Sequence, residues 1–127
     1  MAATSNIIHI TGDLFTAPAG SILVHACNTL GSWSGGIATA FLQRYPTMFE
    51  EYKALCESQG SSLLGTCLLI RGQLHNQQHD IACLFTSEAY GRRKDSPEQI
   101  ISATRSSVRD LMEKNTEGKE LHAWFVT

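Results

Sequence analysis

Apolar positions along the chain gather into short runs separated by helical patterns, and the alternation sets out a series of elements. Ile7-Ile8-His9-Ile10 reads as a short buried strand closed by Thr11-Gly12-Asp13. Ile22 to Ala26 is a second strand, entered after Pro18, Ala19 and Gly20. The glycine-rich stretch Gly31 to Gly36 then leads into a helix carrying Ile37, Ala38, Ala40, Phe41 and Leu42. Pro46 and Thr47 open another helix, whose Met48, Phe49, Tyr52, Leu55 and Cys56 recur at helical spacing, with Gly60 at its end. Thr66–Ile70 and Ile81–Phe85 are further apolar strands, joined by the polar stretch Gly72 to Asp80. Ser96-Pro97-Glu98-Gln99 is a capping-box start for a last helix. Its apolar stripe reads Ile100, Ile101, Thr104, Val108, Leu111 and Met112. Leu121 to Val126 reads as a final strand. Apolar strands separated by helices imply an α/β sheet with helices on its faces, in which ligands sit beyond the carboxyl ends of the strands.

Length and charge narrow the class. With 127 residues there is room for one domain. At 43% hydrophobic and 17% charged residues the chain has the balance of a globular core rather than of disorder. The longest apolar runs fall far short of a bilayer span, no basic-then-apolar leader opens the chain, and a soluble protein of the cytoplasm or nucleus is expected. A net charge of −2 argues against a duplex nucleic-acid binder, because counterion release needs a basic face. The one basic cluster, Arg92-Arg93-Lys94, is followed at once by Asp95. Cys27, Cys56, Cys67 and Cys83 contain no C-x-x-C pair and are expected as reduced, structural thiols. His75 and His79 lie four apart in a polar loop, and no metal site is expected from them.

Candidate chemistry concentrates between His25 and Ala38. Glycines let the backbone approach a ligand, and the amides at a helix start attract an anion. No Gly-Lys-[Ser/Thr] follows, so this is not a P-loop, and the spacing is not G-x-G-x-x-G. Asn28, just past a strand, either meets a sugar hydroxyl or closes an Asx-turn. Trp33 either covers a ligand or anchors the loop to the core. His25 is the best acid–base candidate; the other reading is a core histidine bonded to backbone. Strand alternation puts His25 and Cys27 on one face.

Thr11-Gly12-Asp13-Leu14, His25-Ala26-Cys27-Asn28 and Gly31-Ser32-Trp33-Ser34-Gly35-Gly36-Ile37-Ala38, in this order, resemble a macrodomain. The branch most similar is the fungal ADP-ribose 1″-phosphate phosphatases, a resemblance extended by Arg44-Tyr45-Pro46, by the stretch Gly60 to Cys67 and by Cys83 to Ser87. It implies a three-layer α/β/α fold with a central mixed sheet. Where the family continues with a second phosphate loop, a helix and a strand, the chain stops at Thr127, so one wall of the pyrophosphate site is expected to be missing. It also implies the ligand, ADP-ribose or ADP-ribose 1″-phosphate, a by-product of tRNA splicing.

The roles implied by the resemblance follow the motifs. Asp13, with Leu14 beside it, would take the adenine amine; otherwise Asp13 caps the next turn. Asn28 would hold the distal ribose, and Ser34, Gly35, Gly36 and Ile37 would cradle that ribose and the pyrophosphate. Thr86 and Ser87 would border the pocket. His25 and Asn28 are the catalytic candidates for removing the terminal phosphate, with no cofactor and no metal. Two alternatives stand beside the phosphatase: a non-catalytic ADP-ribose-binding module, and a hydrolase of ADP-ribosylated protein with Lys94 in the comparable region. Self-association through an exposed sheet edge is a further expectation.

Overall fold

The computed structural model describes residues 7–88 and 95–123. Four strands and three helices follow one another as β1 (Ile22–Asn28), α1 (Ile37–Arg44), α2 (Pro46–Gln59), β2 (Cys67–Ile70), β3 (Asp80–Ser87), α3 (Pro97–Lys114) and β4 (Leu121–Ala123). The sheet order is β2-β3-β1-β4. β1 pairs in parallel with both β3 and β4, while β2 runs antiparallel to β3. The sheet is therefore mixed, with β1 and β3 at its centre and buried along nearly their whole length.

Residue alternation divides the sheet into two faces. Leu23, Cys27, Ile81, Cys83 and Phe85 join Phe41, Tyr45, Met48 and Tyr52 from α1 and α2 in the larger core. Ile22, Val24, Ala82 and Leu84 face the other way, where they pack with Cys67 and with Leu111 of α3. Helices on both faces make the three layers expected from the alternation of elements.

Three local features explain the boundaries. Ser96 caps α3, accepting from the Gln99 amide at 3.2 Å while the Gln99 side chain accepts from the Ser96 amide at 2.8 Å, the reciprocal box that the sequence pattern announces. Between β2 and β3 the chain folds tightly over Gly72, where a Cβ would lie 2.0 Å from the His79 carbonyl oxygen, so no other residue fits. At the amino end of the sheet, buried Asp80 accepts from the Gly72 amide at 2.9 Å and pairs with Lys119 at 2.8 Å and Arg71 at 3.3 Å.

Two expectations require correction. Ile7 to Ile10 is not a strand, and Ile7, Ile8 and Ile10 are exposed. An apolar run signals a tendency to be buried, but local hydrophobicity does not fix where a segment docks, and this one joins none of the four strands of the described sheet. The stripe on α3 is also rotated from the one expected. Its buried seam is Ala103, Ser107 and Leu111, whereas Ile101, Val108 and Met112 are 53%, 40% and 58% exposed. Small residues at 103 and 107 let the helix backbone come close to the sheet and to Gly65, and that close approach selects the face turned inward. Among the described residues no helix is long and apolar enough to cross a membrane.

Candidate functional site

The carboxyl ends of β1 and β3 lie side by side, with Asn28 paired to Ser87. A bulge interrupts the register between Cys27 and Asn28. Regular alternation would send Asn28 to the face opposite Cys27, but a bulge re-aims the side chain. Asn28 accordingly meets Tyr52 of α2, whose hydroxyl donates to the Asn28 carbonyl oxygen at 2.7 Å and lies 3.1 Å from Oδ1. Burial raises the Tyr52 phenol well above its ordinary value, so it stays a donor. Periodicity alone marks Tyr52 as one more core aromatic; its part in the site comes from the hydroxyl.

The Asn28 side chain also ties down the loop that follows. Its Oδ1 accepts from the Leu30 amide at 2.9 Å and the Ser32 amide at 3.4 Å, and its Nδ2 donates to the Ser32 carbonyl at 3.0 Å. The Asx-turn reading of Asn28 is thus realised, and a second N–H on Nδ2 remains for another acceptor. Trp33 is buried, stacked on Tyr52 at 5.2 Å and edge-on to His25 at 4.9 Å. It anchors the loop to the core. Past it, exposed Ser34, Gly35 and Gly36 lead into α1, and Ile37 begins the helix with its side chain against the core. Gly36 has φ +55° and ψ −131°, a conformation closed to other residues, and no side chain caps the helix start. A Cβ at either Gly35 or Gly36 would meet nothing within 4 Å, so the loop backbone is open to an approaching molecule.

Other candidates sit apart from this group. Asp13 caps a short 3-10 helix, Leu14–Thr16, by accepting from the Phe15 amide at 2.9 Å. Its other oxygen is 4.0 Å from Arg44, at the far end of α1 from Gly36 and so on the order of 12 Å away along the helix. Leu14 packs against the core beside it. Thr86 is buried, and it is the residue of β3 left without a partner where the register shifts between Phe85 and Ser87.

His25 is 4% exposed, its ring stacked on Phe41 at 4.1 Å and its Nε2 3.5 Å from the Cys27 sulfur. The core placement of this histidine is therefore the one found, although its contacts are aromatic rings and a thiol rather than backbone. Burial opposes ionisation of the Cys27 thiol, but Cys83, His25 and Trp33 around it hold its pKa below the ordinary value. His75 and His79 diverge: the first meets Thr47 and Glu51, the second Tyr45 and the Ala17 carbonyl. Arg92, Arg93 and Lys94 lie outside the described residues.

A glycine loop running from the end of a central parallel strand into a helix, pinned by an asparagine, is the local arrangement to be matched. The family model of the Macro domain covers residues 24–119. The chain belongs to the macrodomain family.

Relatives of this macrodomain include the ADP-ribose 1″-phosphate phosphatase of Chaetomium globosum, 48% identical over 87% of this chain and 63% of the relative. That of Candida albicans is 45% identical over 91% of this chain and 72% of the relative. The chain thus spans somewhat less than two thirds of the Chaetomium protein. Among solved structures, the macrodomain of Mycobacterium tuberculosis DarG superposes with a TM-score of 0.69 at 26% identity, covering 86% of this chain and 67% of that one. A Bacteroides thetaiotaomicron protein gives 0.73 at 20% identity over 93% of this macrodomain and 78% of its own chain, a likeness of fold. Chemically, the macrodomain's loop offers backbone amides, hydroxyls and a carboxamide N–H. This donor set suits an anionic, hydroxyl-rich ligand.

Proposed function

We propose that this macrodomain binds ADP-ribose across the carboxyl ends of β1 and β3 and removes the terminal phosphate of ADP-ribose 1″-phosphate. The observation that carries the reading is the open Gly35–Gly36 backbone at the start of α1, in the loop that Asn28 ties down through Leu30 and Ser32 at the carboxyl end of β1. Relatives 36–48% identical, named ADP-ribose 1″-phosphate phosphatases, support the substrate, and a protein that shares the fold at 19% identity and a TM-score of 0.70, Thermosipho africanus DarTG, was solved in complex with ADP-ribose. Loop amides at Gly35, Gly36 and Ile37 take the pyrophosphate and distal ribose. Asn28, Ser34 and Ser87 border that ribose, with Thr86 behind. Asp13 and Leu14, a helix length away, take the adenine end of an elongated ligand.

In this reading His25 acts through the end of β1 rather than by touching phosphorus, since Phe41 and Trp33 close over its ring. The same burial favours a second reading, a module that binds ADP-ribose, free or on protein, without turnover. Calorimetry with ADP-ribose, run beside phosphate release from ADP-ribose 1″-phosphate and ADP-ribose release from modified protein, separates them. The phosphatase reading expects binding and phosphate release, both weakened in Asn28→Ala. Binding without phosphate release selects the module, and absence of binding removes both. Location in the cytoplasm or nucleus and self-association along the outer strand β4 complete the proposal; sedimentation tests the latter.

A further inference from the structure

His25, Cys27 and Cys83 form a cluster whose two thiols the proposed function leaves unused. His25 and Cys83 are direct partners in the β1–β3 register, and Cys27 lies two positions further along β1 on the same face. One donor atom from each lies within 4.8 Å of the other two, and all three residues are buried. The Cys27 sulfur is 3.5 Å from His25 Nε2 and 3.7 Å from Nδ1. Beside Cys27 stands Trp33, whose buried Nε1 makes no regular hydrogen bond among the described residues but lies near enough to the Cys27 sulfur to favour its thiolate. A metal-bound thiolate is a stronger acceptor than a thiol and would draw that N–H into a full hydrogen bond.

We propose that His25, Cys27 and Cys83 form a three-coordinate site for a soft d¹⁰ cation, Cu(I) being the physiological one. Two sulfurs and one imidazole nitrogen are the donor set that soft cations select. With metal–sulfur bonds of about 2.3 Å, donors around a trigonal centre stand roughly 4 Å apart, so loading draws the cluster in from its 4.8 Å span and turns the imidazole until one nitrogen, rather than the ring between both, faces Cys27. Zn(II) favours a fourth ligand in a tetrahedron, and the cluster offers three. A disulfide between Cys27 and Cys83 is disfavoured by register. Two residues along a strand and one strand across place their Cα atoms roughly 8 Å apart, beyond disulfide reach. On loading, the two thiols release two protons and the imidazole binds through a neutral nitrogen. The centre then carries one net negative charge, and the Trp33 N–H faces it. Phe41 and Trp33 wall the site against water and oxidant.

The test titrates reduced, anaerobic protein with Cu(I) in competition with a coloured Cu(I) chelator, and records X-ray absorption of the loaded protein. One equivalent bound with two sulfur and one nitrogen neighbours is expected, with two protons released and weaker competition by Zn(II). Cys83→Ser and Cys27→Ser should lose this equivalent, while Cys67→Ala, on the other face of the sheet, keeps it. Failure to compete with the chelator, loss in Cys67→Ala alone, tetrahedral coordination, or preference for Zn(II) overturns the assignment. Should a serine variant not fold, the ligand count in the wild-type absorption spectrum decides.

Discussion

Asn28 shows how much one side chain organises. Its carboxamide bonds Leu30 and Ser32, and Tyr52 bonds both its carbonyl and its side chain. Removing that hydroxyl leaves acceptors at the bulge unsatisfied. Tyr52→Phe is expected to cost about 1–2 kcal/mol in denaturant unfolding and to weaken ADP-ribose binding several-fold, because the loop loses its register. Asp80 is the counterpart at the opposite end of the sheet. Burial alone would raise its carboxyl pKa, but Lys119, the Gly72 amide and Arg71 outweigh it and hold it below the ordinary value of 3.8. A lowered carboxylate contributes stability that is fully present above the unfolded pKa of about 4 and is lost as pH falls through the folded value. Asp80→Asn is therefore expected to lose roughly 3 kcal/mol at neutral pH, and to flatten the pH dependence of stability below about pH 4. An unchanged acid-unfolding profile would count against this role for Asp80.

At the scale of elements, α3 carries the clearest lesson. Its start is legible from Ser96-Pro97-Glu98-Gln99 because a cap is a local contract between residues three apart. Its orientation is not, because both the 103/107/111 seam and the 101/108/112 stripe have helical spacing. The choice between them rests on how near the backbone can come to the sheet. Leu111→Ala should cost about 2–4 kcal/mol, whereas Met112→Lys should stay within about 0.5 kcal/mol of wild type. Urea denaturation of the two variants compares them directly, and a cost for Met112→Lys as large as that for Leu111→Ala would count against the rotated seam. β1 is similarly half-legible. Its apolar run is plain, but the bulge that turns Asn28 toward α2 is a pairing irregularity with β3, and no single strand records it.

For the whole molecule, the mixed sheet with helices on both faces brings the ends of β1 and β3 together and sets the glycine loop above them. Two open concavities of about 420 and 430 Å³ lie along α3, both bordered by Glu98, Ser102 and Ser106. If ADP-ribose binds the folded state alone, a hundredfold excess over Kd adds about 2.7 kcal/mol to stability. Thermal denaturation should show a rise of several degrees with ADP-ribose and none with adenine alone. Equal shifts for both would place recognition at the adenine end and away from the glycine loop.

The sequence by itself determined what depends on near neighbours: the α/β alternation, the capping box, the glycine loop entering α1, and the motifs that mark a macrodomain. These are readable because each involves residues a few positions apart. Only the tertiary structure decided what depends on distant partners. Ile7 to Ile10 reads as a strand from its apolar run, yet it is not one of the described strands, because strand pairing is settled by distant segments and not by local hydrophobicity. His25 lies under Phe41 and Trp33 because α1 and the loop close over β1, moving the best acid–base candidate into the core. The parallel pairing of β1 with β3 sets Cys83 beside His25 and near Cys27, and a juxtaposition across 56 positions has no local trace.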